Sequence, residues 1–136
     1  MAHYPIGIKT TRCYTLFMNI NIISLGKISV AEVREPNIIL KTEQNALDLM
    51  AECQASHIII QDYNIEKSFF DLSTKLAGAI LQKFSNYRIK LAIVGDFSKY
   101  PSQTLKDFIY ESNRLKNYLF VATTQEALDI WAKLDG

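Results

Sequence analysis

The stretch over residues 68–95, SFFDLSTKLAGAILQKFSNYRIKLAIVG, decides the fold. Its first half sets Phe69, Leu72, Leu76, Ile80 and Phe84 at three- and four-residue steps, the spacing that aligns side chains on one face of a helix. Its second half, residues 89–94, is almost unbroken aliphatic and β-branched between Arg88 and Gly95, the signature of a strand buried on both faces. We therefore expect an amphipathic helix that starts at Ser68, with Ser68 as its cap and Asp71 in its first turn, feeding a central strand.

Working outward toward the N-terminus, HIIIQ at residues 57–61 reads as a second short buried strand, and His57, at its start, as a partly exposed strand-edge residue. Before it, Thr42 caps a helix running to about Ala55, with Glu43 in the first turn and Ala46, Leu47, Leu49, Met50 and Cys53 facing inward. Ile20, Ile22 and Leu25, then Gly26-Lys27, then Ile28, Val30 and Val33 read as a β-hairpin that ends before Pro36. Residues 1–17 show no clear period. We expect them to be an N-terminal extension, disordered ahead of a single domain over residues 18–136 that starts at Met18; the alternative is an added edge strand over residues 13–17.

Toward the C-terminus, GDFSKY forms a polar loop, and Pro101 fits the first position of a helix burying Leu105, Phe108, Ile109 and Leu115. That helix ends near Asn113, a residue suited to a left-handed cap, and Glu111 close to the C-terminal dipole calls for a cationic partner in Arg114 or Lys116. Residues 118–122 supply another strand. Thr123 and Glu126 make a capping box for a last helix carrying Ala127, Leu128, Trp131 and Leu134. The order β-β-α-β-α-β-α-β-α predicts an α/β domain with a mostly parallel sheet, an antiparallel hairpin at its start and helices covering the sheet, because helices between successive strands impose crossover connections.

Composition narrows the function classes. Apolar residues make up 49% and charged ones 21%, the balance of a globular domain with a core of its own. Fifteen Lys and Arg against fourteen Asp and Glu leave a formal charge of +1 with the signs interspersed, which gives no basis for nucleic-acid binding. No window approaches eighteen uninterrupted apolar residues, so no membrane partner is expected, and the absence of a signal-peptide pattern favours a cytoplasmic location. Cys13 and Cys53 form no CxxC pair, and His3 and His57 lack metal-ligand spacing, so neither a metal nor another cofactor is expected. The glycines form no GxGxxG or GxxxxGK pattern.

The runs FFDLSTKLAGAILQKF, KLAIVGDFSKY and DFIYESN resemble the bacterial domain of unknown function 4180 family, and the resemblance extends from about Met18 to Leu134. That family implies no settled activity. At the level of element order, the chain also resembles the anti-sigma-factor antagonist (STAS) domains, whose motif reads F-x-D-S-S-G before an apolar helix, with a partner kinase phosphorylating a serine at the helix start. Phe69, Asp71, Leu72, Ser73 and Thr74 fall where that motif would lie. The resemblance implies Ser73 and Thr74 as phosphorylation candidates and a STAS-like fold. Leu72 in place of the first serine and Thr74 in place of glycine depart from the pattern.

In an open α/β sheet ligands bind beyond the carboxyl ends of the strands. Residues 61–64, 68–75 and 95–100 should meet there, which makes Asp62, Asp71, Ser73, Thr74, Lys75, Asp96, Ser98, Lys99 and Tyr100 candidates for a partner- or ligand-binding rim. Each also has a purely structural explanation: Asp71 suits a helix start, and Asp96 with Ser98 suits a polar turn. Without a nearby histidine or a GxSxG elbow no catalytic residue is assigned. The expected function is a cytoplasmic regulatory or protein-interaction domain without catalytic activity; the competing class is a small-molecule-binding protein or enzyme using the same rim. No residue demands a particular oligomeric state.

Overall fold

A computed structural model describes residues 9–14 and 19–135. Its six strands form one sheet in sequence order: β1 (Lys9–Tyr14), β2 (Asn19–Leu25), β3 (Ile28–Val33), β4 (His57–Gln61), β5 (Lys90–Val94) and β6 (Tyr118–Val121). The first three pair antiparallel, and β3 through β6 pair parallel. The α/β class, the mostly parallel sheet and the N-terminal antiparallel hairpin are as the sequence indicates. Strand β1 lies inside the stretch expected to be an extension, and it hydrogen-bonds along β2. Most of the alternative strand at residues 13–17, with Met18, falls outside the described residues.

Four helices follow: α1 (Glu43–Cys53), α2 (Leu76–Asn86), α3 (Gln103–Leu115) and α4 (Thr124–Leu134). Right-handed crossovers that always step to the next strand on the same side carry their helices onto one face. Accordingly α1, α2 and α3 share a core with Ala31, Ile58, Ile60, Leu91, Ile93 and Phe120. After β6 the chain turns to the other face. There Ala127, Leu128 and Trp131 of α4 pack on Ile23, Val30, Ile59, Ala92, Val94, Leu119 and Val121. The strict alternation of β4 and β5 between these two cores is the two-face burial that their sequences announce. Among the described residues no helix is long and apolar enough to cross a membrane.

Several local expectations are corrected. The organising helix starts at Leu76, eight residues after Ser68, because side chains capture the backbone groups that a helix needs: Asp71 accepts from the Ser73 amide and Thr74 donates to the carbonyls of Ser68 and Asp71. Two 3-10 turns, Lys67–Phe70 and Leu72–Thr74, take its place, and Lys75 at φ 64° separates them from α2. Pro101 lies outside α3, whose cap is Ser102 accepting from the Leu105 amide. Leu115 and Leu134 are exposed at the ends of their helices, where the apolar face has already turned away from the sheet. The expected cationic partner of Glu111 is found in Arg114. His57 is buried at 5% exposure under α4, not at a partly exposed edge, because Trp131 and Asp135, which cover it, lie more than seventy residues downstream.

Asn113 does not cap α3; Lys116, at φ 58°, does. Its amide instead turns to the outer side of β6, donating to the Phe120 carbonyl at 3.1 Å and accepting from the Phe120 amide at 2.8 Å. One side chain thus stands in for a neighbouring strand and blocks pairing at that edge. Replacing it, in Asn113→Ala, leaves both backbone groups without their partner. We expect a loss of roughly 1–3 kcal/mol in urea unfolding and the appearance of concentration-dependent association by analytical ultracentrifugation; an unchanged midpoint with a monomer at all concentrations would refute this role.

Candidate functional site

The carboxyl ends of β4, β5 and β6 open into a cleft of about 510 Å³, lined by Gln61, Asp62, Val94, Gly95, Asp96, Phe97, Phe120, Val121 and Ala122. Its position follows from the connections. The chain leaves β5 toward the face of α3 and leaves β6 toward the face of α4, and a crevice opens where neighbouring loops part in this way. Phe97 and Phe120 supply apolar wall, meeting edge to face at 5.3 Å, and Asp62 and Asp96 supply carboxylates.

Asp62 is held by a glycine. A Cβ built on Gly95 would stand 2.5 Å from the Asp62 Cγ and 2.8 Å from its Cβ, so the Asp62 side chain rests directly on the Gly95 backbone. From there it accepts a hydrogen bond from Lys99 at 2.9 Å, which raises the Lys99 pKa above its ordinary value. The Lys99 ammonium also lies 5.4 Å from the centre of the Tyr100 ring. Burial raises the Tyr100 phenol, with Lys99 acting in the opposite sense.

The exit of β4 is fixed by Asn64, which is fully buried. Its amide donates to the carbonyls of Glu35 and Asn37 and its oxygen accepts from the Gln61 amide, while its own carbonyl accepts from Ile39 and Leu40. Every polar group on this side chain is therefore engaged, as burial requires.

The two candidate loops, DLSTK and DFSKY, repeat one geometry. Asp71 Oδ1 accepts from the Ser73 amide at 3.1 Å and hydroxyl at 2.6 Å; Asp96 Oδ1 accepts from the Ser98 amide at 3.1 Å and hydroxyl at 2.5 Å. Those bonds hold both carboxyl groups below the ordinary aspartate range. Each aspartate begins a 3-10 turn with nearly the same backbone, φ −101° and ψ 99° at Asp71, φ −100° and ψ 101° at Asp96. Phe70 stacks on Tyr100 at 4.8 Å and ties the loops together.

Of the expected rim, Asp62 and Asp96 line the cleft; Lys99 adjoins it through its bond to Asp62, and Tyr100 stacks on Phe70 beside it. Asp71, Ser73, Thr74 and Lys75 do not line it; they lie on the adjoining exposed loop, reached through the Phe70–Tyr100 stack. Ser98 serves the turn of Asp96. Gln61, Phe97 and Phe120 were not singled out from the sequence, and the spacing of apolar residues offers no sign that Phe120 would wall a cleft and not only fill a core. Among the described residues no group of three or more His, Cys, Asp or Glu is placed to hold a metal ion. Burial pushes the Cys53 thiol up to about 12, which leaves it unreactive.

Residues 25–131 match the family described as Domain of unknown function (DUF4180), which takes in the hairpin turn, both loops and the cleft. The chain belongs to that family. No curated protein and no solved structure matches it. This DUF4180 domain therefore has to be read from its own geometry.

The support of Asp62 by Gly95 is open to a double-mutant test. Gly95→Ala should cost about 1–3 kcal/mol, the usual range for forcing an atom into filled space. Adding Asp62→Gly, which removes the side chain that the new methyl meets, should return a large part of that loss. Additive effects in urea unfolding would show that Gly95 and Asp62 do not act on each other.

Proposed function

We propose that this DUF4180 domain is a cytoplasmic regulatory module without catalytic activity that docks a protein partner on the surface formed by DLSTK, GDFSKY and the cleft between them and β6. The observation that carries this reading is the Phe70–Tyr100 stack. It joins two exposed turns of the same internal geometry into one surface whose shape exists before any partner arrives, so little ordering entropy opposes association. The cleft is open to solvent, with apolar walls and a polar rim, as suits a site that receives a side chain from a partner. Its resemblance to the STAS domains, which work through partner proteins, adds to the regulatory reading.

A second reading has its own support in the cleft volume of about 510 Å³, which is in the range of small-molecule sites. In that case Asp62, Asp96, Lys99 and Tyr100 would be the polar anchors.

Two experiments separate these readings. Capture from the native cell extract with the intact chain should recover one protein in stoichiometric amount, and the pairs Asp71→Ala/Ser73→Ala and Asp96→Ala/Ser98→Ala should reduce that recovery while leaving the far-UV circular dichroism unchanged. Recovery that is equal for wild type and variants would overturn the docking surface. A thermal-shift panel of metabolites tests the second reading, since a ligand at a hundred times its Kd stabilises by about 2.7 kcal/mol. A shift abolished by Lys99→Ala or Asp96→Ala would put the small-molecule site in first place.

A further inference from the structure

At the opposite end of the sheet from the cleft, His57 stands where β4 begins, with Lys90 as its register neighbour on β5. Its Nε2 lies 2.9 Å from Asp135 Oδ2 and its Nδ1 lies 2.7 Å from Ser56 Oγ. Lys90 Nζ donates to both oxygens of Asp135, at 3.2 and 2.9 Å. Asp135 is the residue on which α4 ends, and Trp131 one turn earlier meets the His57 ring edge to face at 4.7 Å. A carboxylate at a helix C-terminus opposes the macrodipole, so Asp135 depends on these cationic and donor partners.

The arrangement has two ways of being satisfied. A neutral ring protonated on Nε2 donates to Asp135 and accepts at Nδ1 from the Ser56 hydroxyl. An imidazolium donates through both nitrogens, and the Ser56 hydroxyl then turns to the Ser29 carbonyl, 3.2 Å away. That second state places two cations, His57 and Lys90, on one carboxylate, with His57 almost wholly removed from water. Among the described residues, the groups facing the ring are Asp135 and Trp131 from α4, Lys90 from β5, and Ser56 ahead of β4.

We propose that His57, Asp135, Lys90 and Ser56 form a pH-sensitive latch that fastens the end of α4 to the starts of β4 and β5 and loosens when His57 gains a proton. Burial first, and the Lys90 charge with it, lowers the His57 pKa below 6.5, outweighing the attraction of Asp135. The sign follows. A histidine with a depressed folded pKa contributes stability that is present above the unfolded value and is lost as pH falls through the folded one. Asp135 is desolvated, yet its bonds to His57 and Lys90 prevail and keep it ionised throughout that window.

Trp131 is the single tryptophan of the chain, and a protonated imidazole against an indole quenches its emission, so the latch carries its own probe. Titrating the intact protein between about pH 8 and pH 4.5 should give a fluorescence transition with its midpoint below the ordinary histidine value, accompanied by a fall in Tm. In His57→Gln both changes should vanish from that window. In Lys90→Met, which removes the competing cation and spares the ring, the midpoint should move up toward 6.5. A His57→Gln profile that coincides with wild type overturns the latch, and so does a Lys90→Met midpoint that stays where it was; the second variant decides the matter should the first fail to fold.

Discussion

The change of side after β6 is the constraint on which the rest of this molecule depends. Three successive crossovers lay α1, α2 and α3 on one face, and had the fourth connection continued in that sense, Ile23, Ile59, Ala92 and Leu119 would face water. Instead α4 crosses to them. Its apolar contact is made by Ala127, Leu128 and Trp131, and each end is fixed by polar bonds: Thr124 donates to Glu32 at 3.1 Å, and Asp135 accepts from Lys90 and faces His57. The same reversal parts the loops after β5 and β6, so the cleft and the cover of the second face have one topological origin.

How the cleft is held shows a division of labour among residue types. Gly95 is needed because it lacks an atom, leaving room for Asp62. Asn64 is needed because an amide both donates and accepts, which lets one buried side chain join residues 35, 37 and 61. Asp71 and Asp96 form their turns through a carboxylate oxygen that accepts from both the amide and the hydroxyl of the serine two residues on. None of these roles adds much apolar burial, and each would be invisible in a ledger of buried area.

That division also explains what was legible in the sequence. Strands β4 and β5, the hairpin about Gly26 and the caps at Thr42 and Thr123 could be read directly, because period and capping chemistry are local. The place of the cleft could be read as well, since strand ends converge once the sheet is parallel. What escaped was decided by contacts between distant residues. Leu72 and Phe69 keep helical spacing with Leu76, yet Asp71 and Thr74 bind the backbone there, and side-chain competition outweighs periodicity. His57 looked like an edge residue because Asp135 and Trp131, which bury it, are at the far end of the chain. Asn113 looked like a cap because its partner, Phe120, belongs to the next strand.

The repeated turns bear on how a regulatory surface here could be switched. In Ser73 the hydroxyl that a kinase would modify is the donor that closes the turn on Asp71 at 2.6 Å. A phosphoryl group at that oxygen removes the donor and sets close to two negative charges beside a carboxylate, which undoes the turn. Thr74 has its hydroxyl committed to the carbonyls of Ser68 and Asp71, so the same modification there would unfasten the two 3-10 turns from each other. Phosphorylation at either position would therefore act by dismantling a preformed shape and not by adding a charged contact to it. A partner that recognises the shape joined by Phe70 and Tyr100 would be released by such a step. Under the proposed docking role, the unmodified domain would then be the binding form.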